Sequence, residues 1–392
     1  LKMTFFNSPN FKENLDLKTY NRAYFFQVSE SVINECESGF YVNKSGETVE
    51  LKEKESITLT DFVDHENKIS LKKEKSKKKG ELDVKFLTTI GAGYELVVEE
   101  GYEKTIALNF ANPIEPGGGF LRGSNAQEEC CCRCSGLYKT ILSRTEFYEN
   151  NIKNQQNGLS TDGMIISKKV PVYRDDTYNY LDKPFYLDFI TSPAPIAYQY
   201  KSCVKNGEKT LKKVIKERIR KILVECINRE YDCIILGAYG CGAFGNDPEY
   251  VSSVFYEYLI KKGYKNYFEK VVFAIFSPRN TELFDLFSKK FYTVEEEIRK
   301  IQKNFHKLIF QRANSFGINE INVELPDLLK KESGYFAVPG MYGGFSYSLS
   351  AESDCKHVLY TESWCRVCGG SGQIHEVTAD EIKLIDTCTD YK

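Results

Sequence analysis

Tryptophan occurs once in this 392-residue chain, methionine three times and histidine four times. So few histidines, with no suggestive company for His65 or His306, argue against a His-based catalytic system. No apolar run approaches the length that spans a bilayer, and the opening stretch "LKMTFFNSPNFKEN" lacks the apolar centre of a signal peptide. Charge of one sign is also missing: the formal net charge is −2, so no global positive field draws the molecule to nucleic acid. No glycine loop closes in Gly-Lys-Ser/Thr, which excludes a P-loop. What is plentiful is aromatic and thiol: 26 Tyr, 26 Phe and 13 Cys, an odd number scattered through a long chain. Reduced thiols in a cytoplasmic or nuclear protein are the expectation, rather than a disulfide framework.

Along the chain, residues 20–37 show helical apolar spacing, and "FYVNKSGETVEL" reads as a hairpin. The basic run "LKKEKSKKKG", Leu71 to Gly80, reads as a solvated linker. From residue 82 short strands alternate with helices: "KTIALNF" (104–110), "FYLDFIT" (185–191), "YDCIILGA" (231–238) and "KVVFAIF" (270–276) are strands of the buried type. A helix is expected over about 126–149, an amphipathic one over 208–230, another over about 248–262, and a charged helical stretch over about 294–315. The expected fold class is α/β, a mixed sheet sandwiched between helices. Boundaries follow at 1–80 (helix, hairpin and basic linker), 81–292 (the α/β core), 293–332 (helical connector) and 333–392 (a small β-rich C-terminal unit).

Two glycine-rich loops sit where strands end, the usual ligand position in such sheets. The first, "NPIEPGGGFLRGSNAQEECCC", places Gly117, Gly118 and Gly119 ahead of Gln127, Glu128 and Glu129. Consecutive glycines let backbone approach a ligand closely. Glu128 has capping-box spacing from Asn125, with Ser124 an alternative N-cap, yet capping explains neither the second glutamate nor the triplet. A partly desolvated carboxyl beside a sugar can protonate a departing oxygen. The second loop, "LGAYGCGAFGNDP", leaves amides free at a helix N-terminus to hold a diphosphate, and Phe244 could stack on a ribose or base. Cys130, Cys131, Cys132 and Cys134 point about 100° apart on a helix and cannot converge on one ion, so packing is expected of them. "WCRVCGGSGQIH" offers Cys365 and Cys368, with His375, Cys355 or His357 as further ligands, but without a second Cys-x2-Cys buried thiols are preferred to zinc.

The GGG…QEE pair, with "CRCSGLY", "VPVYRDD", "ITSPAP" and "LGAYGCGAFGNDP" in order, resembles the microbial type of poly(ADP-ribose) glycohydrolase, built on a macrodomain. The likeness covers roughly residues 20–290. It implies a metal-independent, cofactor-free glycosidase that cuts ribose–ribose bonds, reverses ADP-ribosylation and so acts in the DNA damage response. Glu129 would be the catalytic acid and then the base, and Glu128 would hold ribose hydroxyls. Asn112, Gly117–Gly119 and Gln127 would bind substrate, and Gly240, Cys241, Gly242, Ala243, Phe244 and Asn246 would wrap the diphosphate. Its partners would be poly(ADP-ribose) or ADP-ribosylated macromolecules, with ADP-ribose as product and neither membrane nor direct nucleic-acid binding implied. A non-catalytic ADP-ribose reader, or a hydrolase removing mono-ADP-ribose from protein or DNA, are the alternatives. Glu115 adds a negative charge to the first loop that the resemblance does not call for.

Overall fold

The computed structural model describes residues 21–72, 78–277 and 280–292, and the backbone of four strands between 333 and 378. The chain parts near Phe291 into two compact units. In the larger unit, helix α1 (Arg22–Ser38) starts where the Asn21 carboxamide accepts the N–H groups of Ala23 and Tyr24, and ends at Gly39 in the left-handed region. Strands β1 (Phe40–Val42) and β2 (Thr48–Glu50) form the expected hairpin. Helix α2 (Glu53–Thr58) leads to β3 (Asp61–Val63), β4 (Glu81–Lys85), α3 (Thr89–Tyr94) and β5 (Thr105–Phe110). Then come α4 (Gln127–Cys134), α5 (Leu137–Leu142), α6 (Thr145–Lys153), β6 (Met164–Arg174), β7 (Tyr180–Ser192), α7 (Ala197–Cys203) and α8 (Glu208–Asn228). Strand β8 (Cys233–Leu236), α9 (Pro248–Tyr256), β9 (Lys270–Ala274) and α10 (Glu282–Phe291) complete it.

The strands make one seven-stranded mixed sheet in the order β3-β6-β7-β5-β8-β9-β4, parallel from β7 to β4 and antiparallel at the β3-β6-β7 side. Strands β5 and β8 are buried along nearly their whole length, which is why they read as unbroken apolar runs. One face packs Phe25, Val28 and Val32 of α1, Leu96, and the thiols of α4 against Ala107, Phe189 and Ile235. On the other, Phe273 stacks on Phe291 of α10, meets Phe255 of α9 edge-on and packs at a tilt against Phe287 of α10. Helix α1 is bound into this core as well by the buried Arg174–Glu35 ion pair. The smaller unit is a four-stranded antiparallel meander, β10 (Ser333–Gly340), β11 (Gly343–Ala351), β12 (His357–Cys365) and β13 (His375–Thr378). The charged stretch 294–315 and Cys368 lie outside the described residues, as do the side chains of the Cys365 region.

The single helix expected over 126–149 is instead three. Ser135 is extended (φ −152°, ψ 173°) and bridges to Val172 of β6. Beside it, a Cβ on Gly136 would lie 1.8 Å from an oxygen of Glu53, so the α2 carboxyl occupies the space a longer residue needs. Neither Glu53 carboxyl oxygen has a hydrogen-bond partner, and burial pushes its pKa up to about 8. The native state therefore binds this proton more tightly than the unfolded chain, in which the carboxyl titrates near 4.5. Its contribution to stability declines as pH rises from about 4.5 to 8, and the full penalty stands above that. Glu53→Gln should remove that slope. Denaturation midpoints of the two proteins should nearly coincide at pH 5 and separate by about 2–4 kcal/mol in favour of Gln at pH 9. A separation that does not change with pH would show that Glu53 is not protonated in the native state.

Candidate active site

Strands β5, β7 and β8 are adjacent and parallel, so their carboxyl ends open onto one edge of the sheet. Both glycine loops emerge there. Strand β8 pairs with β5 only as far as Ala107–Ile235. Beyond that point the Gln127 carboxamide takes over the ladder: its Oε1 accepts the Phe110 N–H at 2.9 Å, and its Nε2 donates to the Leu108 carbonyl at 2.9 Å. Nε2 also reaches Thr89 Oγ1 at 3.0 Å. Gln127, expected to touch substrate, thus spends both polar atoms on the protein. It parts β5 from β8 and pins the first turn of α4 to the strand end.

That turn carries the glutamates. Glu128 is buried, with Oε2 accepting the Asn112 N–H at 2.8 Å and Oε1 accepting from Asn109 Nδ2 at 3.2 Å. Glu129 is buried too: Oε1 accepts the Gly119 N–H at 2.8 Å and Oε2 the Ala126 N–H at 2.9 Å. The helix N-cap is Ala126, rather than Ser124 or Asn125. Consequently the reciprocal bond to the N-cap amide comes from Glu129 and not from Glu128. Burial, reinforced by the neighbouring Glu129 charge, raises the Glu128 pKa to about 8 despite the two hydrogen bonds that oppose it.

The glycine triplet fits around these carboxyls. Gly117 and Gly118 have φ of +69° and +58°, a region L side chains rarely adopt. A Cβ on Gly118 would stand 2.7 Å from Glu129 Oε1 and 3.2 Å from Glu128 Oε2, so both acids converge over this one residue. Asn112 shapes the loop itself, its Oδ1 accepting the N–H groups of Ile114 and Glu115. Glu115 is answered by Arg122 seven residues on, in a two-pronged ion pair with Nη2–Oε2 at 2.6 Å.

The second loop, Gly237–Asp247, is held from below. Asn246, expected to bind ligand, is buried and donates to the carbonyls of Pro195 (2.8 Å) and Gly240 (2.9 Å). Ala197 N–H donates to the Phe244 carbonyl at 2.8 Å. The amides of Gly240, Gly242, Ala243 and Phe244 make no hydrogen bond within the described residues. Gly240 needs its positive φ of +70°, and a Cβ on Gly242 would meet nothing within 4 Å. Four amide donors left without a partner among the described residues of one loop suit an anion. Cys241 lies in the same loop with its thiol pushed up to about 12 by burial, which makes it a poor nucleophile.

Sequence reasoning missed Asn109, which bridges Glu128 and Thr191 Oγ1 from inside β5, and Arg133. The Arg133 guanidinium is fully buried between Phe25 and Tyr178 at 4.5 and 5.0 Å from the ring centres, and it binds the Ser124 carbonyl at 2.6 Å. It ties the end of the first loop to α1. Of the α4 cysteines, Cys131, Cys132 and Cys134 are packed in the core, where burial raises their thiols well above the ordinary range, and Cys130 is partly buried. No group of three or more metal-ligating side chains converges among the described residues, and no described helix is long and apolar enough to cross a membrane.

Comparison with known proteins gives an independent reading of this edge. The family model for the catalytic domain of microbial-type PARG matches residues 29–175. A crystal structure of poly(ADP-ribose) glycohydrolase (PARG) from Thermomonospora curvata is similar over 69% of this chain and 100% of its own, at 30% identity and a TM-score of 0.65. The same enzyme bound to the inhibitor ADP-HPD is 29% identical over the same shares, with a TM-score of 0.61. The Deinococcus radiodurans enzyme in complex with ADP-ribose is 31% identical over 61% of this chain and 96% of its own, with a TM-score of 0.56. Nothing among curated protein sequences matches the chain.

Proposed function

The chain belongs to the microbial-type poly(ADP-ribose) glycohydrolase family, and on that premise we propose that it hydrolyses ribose–ribose O-glycosidic bonds with Glu129 as general acid and base. The observation that carries the assignment is the convergence of two buried carboxyls over Gly118, at the same sheet edge as a second loop whose Gly240 and Gly242–Phe244 amides have no partner among the described residues. The diphosphate of the terminal ADP-ribose rests on the amides of Gly240 and Gly242–Phe244, and this sets the ribose beside Glu128 and Glu129. Each Glu129 oxygen accepts one backbone N–H, which leaves a lone pair on each uncommitted and fixes the carboxyl in one orientation.

Glu129 gives its proton to the leaving ribose oxygen as the glycosidic bond breaks, and an oxocarbenium-like sugar forms. Water then attacks the anomeric carbon and returns a proton to Glu129. Glu128, whose pKa burial raises to about 8, pairs with ribose hydroxyls. Asn109 and the Asn112 amide hold it there. Asn246 and Gln127 act through the loop and helix they brace.

Incubation of the purified protein with poly(ADP-ribose), with mono-ADP-ribosylated protein and with ADP-ribosylated DNA tests the reading. ADP-ribose should be released fastest from the polymer. Release from protein or DNA alone would move the assignment to a mono-ADP-ribosyl hydrolase, and binding without release would make the chain a reader.

A further inference from the structure

The side chains of Ile114, Glu115, Leu121 and Arg122, on the outer turn of the first loop, have no part in the chemistry described so far. The turn is nevertheless one hydrogen bond from it: the Arg122 N–H donates to the Gly119 carbonyl at 2.9 Å, and the Gly119 N–H donates to Glu129 Oε1 at 2.8 Å. On this turn Ile114 and Leu121 are 40% and 43% exposed. Beside them stands the Glu115–Arg122 pair, with side chains 43% and 54% exposed. Arg22 of α1 donates from Nε to the Arg122 carbonyl at 2.7 Å, and a Cβ on Gly123 would fall 2.1 Å from the Arg22 carbonyl. The backbone of the turn is therefore anchored while its side chains face solvent.

An exposed ion pair adds little to folding stability, and two exposed aliphatics add nothing while they remain in water. Both features acquire a purpose if something covers them. Resting on the glycohydrolase reading above, we propose that this turn is a leaving-side subsite, which receives the ADP-ribose unit on the far side of the scissile bond. The terminal unit occupies the second loop, so the remainder of the polymer leaves past Glu129 over the first. Arg122 is the cation for the diphosphate of that unit, a fork suited to phosphate oxygens. Ile114 and Leu121 supply apolar surface for its sugar or base. Glu115 holds the guanidinium in place and competes with phosphate for it, which keeps the subsite weak enough to release product.

The test compares poly(ADP-ribose) with ADP-ribose bearing a para-nitrophenoxy group at the anomeric carbon, a substrate with no leaving-side diphosphate. Arg122→Ala should lower kcat/KM on the polymer about tenfold and leave the small substrate within about twofold. Glu115→Gln should raise kcat/KM on the polymer at low salt and steepen its decline as salt is added. Equal effects of Arg122→Ala on both substrates, or on neither, would overturn the subsite. Hydrolysis of neither substrate by the unaltered protein would overturn the glycohydrolase reading instead, and the subsite with it.

Discussion

Glu129→Gln should slow ADP-ribose release from the polymer by roughly a thousandfold while leaving ADP-ribose affinity within a few-fold of the unaltered protein. General acid–base catalysis contributes about 100- to 10,000-fold in enzymes that use it, and here one carboxyl serves both steps. The substitution preserves shape but not proton chemistry. It also disturbs the site in a way the geometry specifies. Glu129 accepts two backbone N–H groups, from Gly119 and Ala126, and a carboxamide can accept only one of them. Its NH2 must face the other donor, at a cost of about 1–3 kcal/mol in stability. The thermal midpoint and the calorimetric affinity for ADP-ribose therefore have to be measured beside the rate. Lost rate with binding retained and a folded protein identifies the acid. Rate within tenfold of the unaltered protein would reject Glu129 in that role.

The parts of this site that could be read in the sequence are those that depend on neighbours along the chain. "KTIALNF" announces a buried strand because its centre, Ile106–Leu108, is apolar on both faces, and a glycine triplet after it announces close backbone approach. The glutamates are visible as a pair because they adjoin. What could not be read depends on contacts between distant residues. Helix 126–149 has good local propensity, and it breaks at Ser135–Gly136, where Ser135 bridges to Val172 and the Gly136 N–H donates to the Pro171 carbonyl at 3.0 Å, both more than 30 residues on. Gln127 looks like a ligand contact until β8 is seen to leave β5 at Ala107 and create two unpaired backbone groups for it to satisfy. Strand β6 was not anticipated as an 11-residue element, since "MIISKKVPVYR" contains two lysines and a proline. Register shifts between Ser167 and Val170 accommodate the lysine pair, with Lys169 turning through φ +50°. Glu115, an unexplained charge in the sequence, is explained by a loop that curls back to bring Arg122 against it.

The two glycine loops should respond to one added methyl in opposite ways, and the contrast separates folding from ligand binding. Gly118→Ala places a Cβ 2.7 Å from Glu129 Oε1 in a backbone conformation with φ +58°. The carboxyls are fixed by backbone amides and cannot swing away without breaking those bonds. Stability should fall by about 1–3 kcal/mol, and hydrolysis by roughly a hundredfold or more, because a displacement near 1 Å is enough to misplace an acid. Gly242 has no φ constraint and its Cβ would meet nothing, so Gly242→Ala should leave the thermal midpoint within about 1 °C. If the Gly240–Phe244 amides hold a diphosphate, that methyl enters the ligand's space, and ADP-ribose affinity should weaken by about tenfold or more. Unaltered affinity in a fully stable Gly242→Ala protein would remove the diphosphate from the second loop. The space left open beside Gly242 is empty of protein on this account because substrate occupies it, just as the space over Gly118 is filled by the two acids.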